Sequence, residues 1–426
     1  MNYTESMDYL KGLTKFGINL GLERIQELLR RMGHPEKETE FIHVGGTNGK
    51  GSTAVMIAEI LKQSGMKVGL FTSPHLYSYN ERIQINGKKI AEEDIACLLT
   101  DMRFHLDGMV ASGFEHPTEF EVSTTLALCY FAREKVDLAV IEVGMGGEID
   151  STNVIFPRLA VITNVGMDHM DYLGTTLEEI AQVKAGIIKP GCDVITAEKN
   201  PDVLRVIRDY ALRQKASLWE EGKDFWVTPL EYSIDSQYFN CNIQGTVFHN
   251  LRIRLRGKYQ LMNAVLAVAA AVKMGVSSLA IRKGLDQARW PCRLDIVHER
   301  PLVVIDAAHN YHGIKVLVDS LKQYWPYEKK ILVLGMLADK EREKAVAEIA
   351  PLVEKVVVTK PNSPRAGAWY QVADFISVLN KEVILEENIS KAVDIALDLA
   401  QNDRMVVITG SIYMVAEARA YLLEKR

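Results

Sequence analysis

The chain has 426 residues, 48% of them hydrophobic, and a net charge of −5. This length exceeds one ordinary hydrophobic core and predicts two domains, while the lack of net positive charge argues against nucleic acid as the main partner. Scattered cysteines without a C-x-x-C pair argue against a disulfide framework or a zinc site and favour a cytoplasmic setting. We expect no signal peptide, because the first residues include acids and no basic region before an apolar core. We expect no membrane partner, because no apolar run is long enough to span a bilayer.

The first predicted elements surround a glycine-rich segment. Residues 1–33 carry helical periodicity, which Gly33 and Pro35 should end. The apolar run 41–44 predicts a short buried strand, and the periodic run 54–61 predicts a helix. A strand, a glycine segment and a helix in this order place backbone N–H groups at a helix N-terminus, where the helix dipole favours anions.

The glycine-rich segment 45–53 approximates the phosphate-loop pattern G-x-x-x-x-G-K-[ST], with Gly51 inserted before the hydroxyl residue. Lys50 would neutralise the β- and γ-phosphates of a nucleotide, and the hydroxyl of Ser52 or Thr53 would face Mg²⁺. The alternative is a glycine turn with an exposed lysine. We expect a nucleoside triphosphate to bind here, because the loop, the lysine, the hydroxyl and the flanking elements agree.

The next segments alternate strands with helices. Strands are predicted over 68–71, 81–85, 138–143 and 159–164, and helices over 92–105 and 121–135. This alternation predicts a doubly wound α/β domain that binds ligands at the carboxyl ends of its strands. Short alternating segments from 216 to 256 predict antiparallel strands, and a helix is expected over 261–274.

A second α/β alternation begins after residue 298. Its predicted strands cover 302–306, 331–335, 355–359 and 405–409, and it has no phosphate loop of its own. We therefore expect two domains, residues 1–297 and the smaller 298–426.

Polar residues that follow apolar strands are candidates for chemistry. Glu142 ends a strand where a bare carboxylate is costly unless it is paired or bound to a metal. His169 also follows a strand, so the two side chains could converge on one ion, as acids near phosphate loops do. The alternatives are a capping or ion-paired role for Glu142 and a satisfied core position for His169.

Three further positions stay open from the residues alone. Lys184 lies on a short apolar helix, where a lysine is more often a snorkelling surface residue. Asp306 and His309 follow an apolar strand and are either helix-capping groups or nucleotide contacts from across a domain cleft. Residues 409–411 either accept a small anion on backbone N–H groups or form a plain turn.

These motifs resemble, in order and spacing, the folylpolyglutamate synthase/dihydrofolate synthase family of the Mur ligase superfamily. The matching segments are 43–52, 72–76, 81–83, 142–147, 150–153, 168–169, 172–174, 184–191, 257–264, 289–291, 293–294, 306–310, 364–366 and 409–411. The resemblance implies an α/β fold with a doubly wound, phosphate-loop ATPase domain, a small antiparallel β subdomain and a smaller Rossmann-like glutamate-ligase domain.

The resemblance also implies a reaction. ATP would convert the γ-carboxylate of a folate, or the carboxylate of dihydropteroate, into an acyl phosphate that the amine of L-glutamate attacks. ATP, folate and L-glutamate are the implied small-molecule partners, with Mg²⁺ at two sites, and a monomer is implied by analogy. The mechanism makes physical sense because a carboxylate is a poor acyl donor, and Mg²⁺ with Lys50 offsets the repulsion between anions.

The resemblance assigns roles to individual residues. It implies a catalytic role for Lys50, Lys184 and His309. Lys184 matches a carbamylated family lysine whose added carboxylate binds Mg²⁺, which reverses the surface interpretation. The implied magnesium ligands are Ser73, Glu142, His169 and carbamylated Lys184, with Ser52 nearby. The implied nucleotide contacts are Thr47, Asn48, Gly49, Lys50, Gly51, Ser52, Asn263, Arg293 and Asp306. The implied folate contacts are Asn19, Leu20, Thr118, Phe120 and Asp150, and the implied glutamate contacts are His309 and Ser411.

The sequence departs from the family pattern at several positions. Glu148 stands where arginine is frequent, next to the pterin motif, and bears on whether dihydropteroate is a substrate. Val183, Cys292 and Tyr311 replace a common glutamate, glycine and proline.

Two other functions are possible. A Mur-type ligase acting on another carboxylate would keep the chemistry, although peptidoglycan ligases usually need more chain before the loop. A non-catalytic nucleotide-binding module would leave Glu142, His169 and Asp306 unexplained together.

Overall fold

The structure, a computed structural model, describes residues 1–17, 19–401 and 403–425. The chain forms two compact units. The first consists of residues 1–231, 238–254 and 261–289, and the second of residues 232–237, 255–260 and the chain from Trp290 onward. Within the described ranges, every helix is too short or too polar to cross a bilayer.

The helices and strands follow in chain order. The helices are α1 (Tyr3–Leu13), α2 (Glu23–Arg31), α3 (Lys50–Gln63), α4 (Glu92–Ala111), α5 (Glu119–Arg133), α6 (Met170–Leu173), α7 (Leu177–Ala185), α8 (Pro201–Arg213), α9 (Tyr259–Lys273), α10 (Ser278–Gln287), α11 (Tyr311–Tyr324), α12 (Arg342–Ile349), α13 (Val372–Ser377), α14 (Ile389–Ala400) and α15 (Ile412–Glu424). The strands are β1 (Glu40–Gly45), β2 (Val68–Phe71), β3 (Ile83–Ile85), β4 (Lys88–Lys89), β5 (Leu138–Glu142), β6 (Leu159–Ile162), β7 (Asp193–Thr196), β8 (Ser217–Glu220), β9 (Phe225–Tyr232), β10 (Gln237–Ile243), β11 (Thr246–Ile253), β12 (Asp295–Glu299), β13 (Leu302–Ile305), β14 (Lys329–Leu334), β15 (Lys355–Val358), β16 (Glu382–Leu385) and β17 (Arg404–Thr409).

The large sheet of the first unit is centred on the strand that leads into the glycine-rich loop. Its order is β4-β3-β2-β5-β1-β6-β7-β8, and β1 pairs in parallel with β5 and β6. Val44 lies opposite Glu142, and Gly45 lies opposite Ile162. The predicted doubly wound sheet is confirmed, and its register places the carboxyl end of β5 directly beside the loop.

One strand prediction for the first unit was wrong. Residues 217–220 were expected to begin the antiparallel segment, but they form β8, which pairs in parallel with β7. The reason is the α8 crossover from β7 to β8, since such a connection joins parallel neighbours. The antiparallel sheet is β11-β10-β9. The short turns at 233–236 and 244–245 require its strands to run antiparallel.

The helical stretch predicted over residues 1–33 is interrupted. Gly17 and Gly21 have φ angles of 60° and 119°, which a right-handed helix excludes and which glycine adopts without a Cβ clash. Helix α2 packs Ile25, Leu28 and Leu29 into the core, as the periodicity predicted. The break leaves Asn19 and Leu20 outside any helix.

The second unit contains a six-stranded sheet in the order β12-β13-β17-β14-β15-β16. All of its pairings are parallel except that of β12 with β13. The boundary expected at 297/298 falls inside β12, because residues 290–297 belong to this compact unit. The expected α/β fold class is confirmed, and the functional division into two domains stays a prediction.

The helix that follows the glycine-rich loop is held by a close contact. A Cβ added at Gly284 on α10 would lie 2.4 Å from Cα of Ile60 on α3. Only glycine permits this approach, because the obstructing atom belongs to rigid helix backbone.

Gly284→Ala should therefore lower the free energy of unfolding by about 1–3 kcal/mol through overpacking. Urea denaturation measures this. Gly12→Ala on α1 is the matched control, because an added Cβ there meets nothing within 4 Å, and it should be neutral or stabilise by up to about 1 kcal/mol. Equal stability of the two variants would contradict the contact.

Candidate active site

The glycine-rich loop approaches its neighbours so closely that two of its glycines cannot be replaced. Gly46 has a φ of 136°, and a Cβ there would lie 1.9 Å from Oγ1 of Thr163. Gly49, with a φ of 84°, is the N-cap of α3, and a Cβ there would lie 2.5 Å from Oδ1 of Asn263. The loop is therefore packed between the end of β6 and helix α9, and predicted nucleotide contact Asn263 lies against it.

The segment after β6 holds the loop by hydrogen bonds. Asn48 N–H donates to Oδ1 of Asn164 at 3.0 Å, while Nδ2 of Asn164 donates back to the Asn48 carbonyl at 3.0 Å. Thr163 Oγ1 donates to the same carbonyl at 2.7 Å. Thr47 N–H donates to the Asn164 carbonyl at 2.8 Å. Thr163 and Asn164 had no predicted role, although two polar residues at the end of a predicted strand could have indicated one.

Two lysines converge on one backbone carbonyl. Lys50 Nζ lies 3.1 Å from the Gly46 oxygen and 3.2 Å from the Thr47 oxygen, and Lys184 Nζ lies 3.1 Å from the Gly46 oxygen. Lys184 is only 3% exposed, so its interpretation as a surface lysine was wrong. Burial, and then the charge of Lys50, lower the pKa of the Lys184 ammonium to about 7.

The predicted magnesium ligands lie on different sides of the loop. Glu142 is 5% exposed at the end of β5, and its Oε2 accepts from Ser73 N–H at 3.1 Å. Ser52 is buried in the first turn of α3. His169 precedes α6 with a φ of 50°, and its Nε2 lies 4.0 Å from Oδ2 of Asp168. Within the described residues, no three His, Cys, Asp or Glu side chains form a metal cluster, so the predicted set depends on serine and modified lysine.

The predicted folate contacts form one neighbourhood. Arg24 links two of them, because Nη2 donates to the Asn19 carbonyl at 2.6 Å and Nε lies 3.2 Å from Glu121. Glu121 Oε2 accepts from Thr118 N–H at 2.7 Å, which completes the capping box of α5. Leu20 is 39% exposed beside Asn19.

Phe120 and Asp150 meet across a glycine. A Cβ at Gly144 would lie 2.5 Å from Cζ of Phe120 and 3.1 Å from Oδ2 of Asp150. Asp150 accepts from Met145 N–H at 2.7 Å and from Thr152 Oγ1 at 2.5 Å. Burial raises the pKa of the Asp150 carboxyl, and these hydrogen bonds oppose that rise.

In the second unit, the predicted nucleotide contacts Arg293 and Asp306 lie together. Asp306 accepts from Leu294 N–H at 2.9 Å and from Ala308 N–H at 2.8 Å, so it fixes the residue that follows Arg293. Burial raises the pKa of Asp306, and the positive charge of Arg293 is the largest opposing effect.

The predicted glutamate contacts follow neighbouring parallel strands, β13 and β17. The Ala308 carbonyl, next to His309, accepts from Gly410 N–H at 3.0 Å and from Thr409 Oγ1 at 3.2 Å. Ser411 is 1% exposed, and its buried Oγ has no hydrogen-bond partner among the described residues. A buried hydroxyl without a partner is suited to bind a polar ligand.

Comparisons with known proteins agree with this arrangement. The Mur ligase middle domain matches residues 44–271, and the Mur ligase glutamate ligase domain matches residues 292–412. The dihydrofolate synthase/folylpolyglutamate synthase of Bacillus subtilis is 36% identical, with 99% of each chain covered. The chain belongs to the folylpolyglutamate synthase/dihydrofolate synthase family. It is therefore an enzyme of the ligase class.

Solved structures of folylpolyglutamate synthase family members share the whole fold. The Mycobacterium tuberculosis folylpolyglutamate synthase complexed with ADP and AMPPCP matches with a TM-score of 0.91 and 33% identity, covering 99% of each chain. The Escherichia coli protein complexed with DHPP and ADP matches with a TM-score of 0.90 and 30% identity, covering 100% of this chain and 99% of that one.

At position 292, where the family commonly has glycine and this chain has cysteine, the backbone conformation is one that favours glycine. Cys292 has a φ of 58°, in the left-handed region that favours glycine. Leu294 has a φ of 46°, and Asp306 holds it by the hydrogen bond to its N–H. The backbone on both sides of Arg293 is therefore strained, which costs about 1–3 kcal/mol for each residue.

The lowered pKa of Lys184 predicts a dependence of stability on pH. Its folded-state pKa is about 7 and its ordinary value is 10.5, so between these values the unfolded chain binds more protons and stability rises with pH. Relative to Lys184→Met, the wild type should gain stability from pH 7 to pH 10 in carbon dioxide-free buffer. Urea denaturation of both proteins measures the difference, and an unchanged difference would show that Lys184 keeps its ordinary pKa.

Proposed function

We propose that this enzyme uses ATP to add L-glutamate to the γ-carboxylate of a folate through an acyl phosphate, with dihydropteroate as a second acid substrate. The observation that carries the proposal is the phosphate loop, clamped by Thr163 and Asn164 and flanked by two lysines on the Gly46 carbonyl. The full-length similarity to folylpolyglutamate and dihydrofolate synthases supports the acid substrates.

The nucleotide's phosphates would lie on the segment from Thr47 to Ser52. Asn48 Nδ2 is buried without a hydrogen-bond partner among the described residues, and it can donate to a phosphate or base atom. Lys50 would neutralise the β- and γ-phosphates, because it already lies over the loop. The family resemblance makes Asn263, Arg293 and Asp306 further candidates for nucleotide contacts. The ADP and AMPPCP complexes of the Mycobacterium tuberculosis relative support ATP as the nucleotide.

The residues near the loop suit Mg²⁺, which prefers oxygen ligands. Ser73, Glu142, His169 and carbamylated Lys184 would hold the ions at two sites, with Ser52 close by. Glu142 is a buried carboxylate at the end of β5, and oxygen donors of this kind are the ligands that Mg²⁺ prefers. When bound, Mg²⁺ would neutralise charge that develops on the transferred phosphoryl group. Lys50 would orient the phosphates by its positive charge, and Glu142 would help to hold the metal.

Carbamylation of Lys184 has a physical basis in its buried position. Only a neutral amine attacks carbon dioxide, and burial with the nearby Lys50 lowers the pKa of Lys184 to about 7. The N–C bond forms while the nitrogen loses a proton, so the product is an anionic carbamate. Carbamylation therefore replaces the repulsion between the Lys50 and Lys184 ammonium groups by an attraction between the Lys50 ammonium and the carbamate on Lys184.

The acid substrate would extend from a pterin site at Asn19, Leu20, Thr118, Phe120 and Asp150 towards the loop. Its proposed glutamate partner would bind at His309 and Ser411, whose unpartnered hydroxyl suits a carboxylate. Water must be kept from the acyl phosphate, which hydrolyses without useful product. We place the enzyme in the cytoplasm, which suits its five free cysteines. We expect a monomer by family analogy.

The reaction itself can be tested by ADP release with tetrahydrofolate, dihydropteroate or a muramyl peptide, each with and without L-glutamate. Steady-state ADP release should require both a pterin acid and glutamate, and mass spectrometry should detect one added glutamyl group. The dihydropteroate sample decides whether Glu148 permits the second activity. ADP release that depends on the muramyl peptide, or on no acid at all, would overturn the proposal.

The role of Lys184 can be tested with Lys184→Ala and Lys184→Arg. Both should lose at least about 100-fold in kcat, because neither forms a carbamate and one metal ligand disappears. Wild-type activity should fall after removal of carbon dioxide and return with bicarbonate, and ¹³C-bicarbonate should give a carbamate NMR signal.

Lys199→Ala is the matched control for that experiment. The Lys199 side chain is 70% exposed and ion-paired with Glu221, so its loss should leave turnover and the bicarbonate response unchanged. Full turnover by either Lys184 variant would remove the metal role.

A further inference from the structure

A closed set of hydrogen-bonded polar side chains, here called the polar circuit, is adjacent in sequence to proposed magnesium and folate residues and has no role in the proposed function. Its members are His75, Tyr79, Arg82, Glu119 and Ser123, all in the first unit. Arg82 Nε donates to Nδ1 of His75 at 3.0 Å, and its Nη1 lies 3.2 Å from Oε1 of Glu119. The same guanidinium lies over the Tyr79 ring, 5.3 Å from its centroid.

The circuit closes through two hydroxyl groups. Tyr79 donates to Oγ of Ser123 at 2.7 Å, and Ser123 donates to Oε1 of Glu119 at 2.9 Å. Ser123 thus links Tyr79 and Glu119, the two groups that contact the guanidinium of Arg82 away from His75. A planar guanidinium fixed on two edges also fixes the imidazole that it contacts.

The contact with Arg82 determines which nitrogen of His75 carries a proton. Arg82 can only donate, so Nδ1 of His75 must accept and carries no proton. In the neutral ring the proton then lies on Nε2. Among the described residues, none accepts a hydrogen bond from this Nε2–H. The nitrogen is absent from the set of buried polar atoms that lack a partner, so it is accessible to a ligand. His75 therefore presents one N–H donor, polarised by the cation behind it, to the space outside the protein.

The position of His75 is also fixed by its own segment. Glu81 Oε2 accepts from Leu76 N–H at 2.8 Å and from Tyr77 N–H at 3.2 Å, directly after His75. Ser73, two residues before it, donates its N–H to Glu142 beside the phosphate loop. On the other side, Glu119 is flanked by the proposed folate contacts Thr118 and Phe120. The donor thus lies along the chain connection between the proposed metal ligands and the proposed pterin site.

We infer that Nε2–H of His75 binds the oxygen of the acid substrate's reacting carboxylate, and that Arg82 is a positioning residue that keeps the imidazole in its donor form. A carboxylate is the strongest acceptor that such a substrate carries, and it must lie between the pterin site and the phosphate loop. A donor held in this way stabilises the carboxylate and the acyl phosphate without taking a proton. This inference rests on the proposed function and adds a substrate contact to it.

Two variants separate the donor from the contact with Arg82. His75→Asn places an amide oxygen near Nδ1, where it can accept from Arg82, but leaves nothing at Nε2. His75→Gln places an amide N–H near Nε2. The Asn variant should lose about 10²–10³-fold in kcat and in kcat/KM for tetrahydrofolate, as when one oxyanion donor is removed, whereas Gln should stay within about 10-fold of the wild type. The Kd for ADP, measured by calorimetry, should be unchanged in both.

Several outcomes would overturn the inference. The first is wild-type turnover by the Asn variant, and the second is an equal loss of kcat in both variants. The third is a rise in KM with unchanged kcat, which would place the contact on a non-reacting part of the folate. The wild-type assay separates the two proposals. An inactive wild type removes the proposed function, whereas an active wild type with an active Asn variant removes only the role of His75.

A second measurement does not require an active variant. Histidine-labelled wild-type protein should show His75 as the Nε2–H tautomer by ¹⁵N NMR, assigned with whichever His75 variant folds. Its Nε2 signal should shift with tetrahydrofolate plus AMPPCP and not with AMPPCP alone. An Nδ1–H tautomer, or a signal that ignores the folate, would overturn the inference.

Discussion

The carbonyl of Gly46 is the contact on which the rest of the first unit depends. It accepts from Lys50 and Lys184, which places two cations beside one oxygen in a buried setting. Such a pair is unfavourable unless one lysine loses its proton or an anion arrives. The same repulsion that costs stability in the unliganded protein therefore favours a nucleotide's phosphates and favours the neutral amine that carbamylation requires.

The surrounding residues keep that carbonyl in place. Thr163 and Asn164 hold the loop from β6, and Gly46 leaves room for Thr163 because it has no side chain. On the opposite side, β5 presents Glu142 beside Val44. The central position of β1 brings these neighbours together, since both flanking strands end at the same edge of the sheet. A loop held on both sides loses little conformational entropy when a nucleotide binds.

The proposed acid site is built from helix ends and interrupted helices. Gly17 and Gly21 end the first helical segment and free Asn19 and Leu20, while Arg24 ties that segment to Glu121 on α5. Burying a charged group without a partner of opposite charge is unfavourable, and Arg24 and Glu121 are buried as a pair.

The sequence by itself determined the fold class, the phosphate-loop pattern and the polar residues that follow apolar strands, because apolar periodicity and glycine spacing are local properties. Tertiary structure decided the environment of each side chain. Lys184 looked like a surface residue until α7 packed it against Gly46, and residues 217–220 looked antiparallel until α8 carried them back into the main sheet. The contacts of Thr163 and Asn164 with Asn48 join residues 115 and 116 positions apart, and no local pattern encodes them. The proton position on His75 depends on the three-dimensional placement of Arg82, which sequence spacing alone does not show.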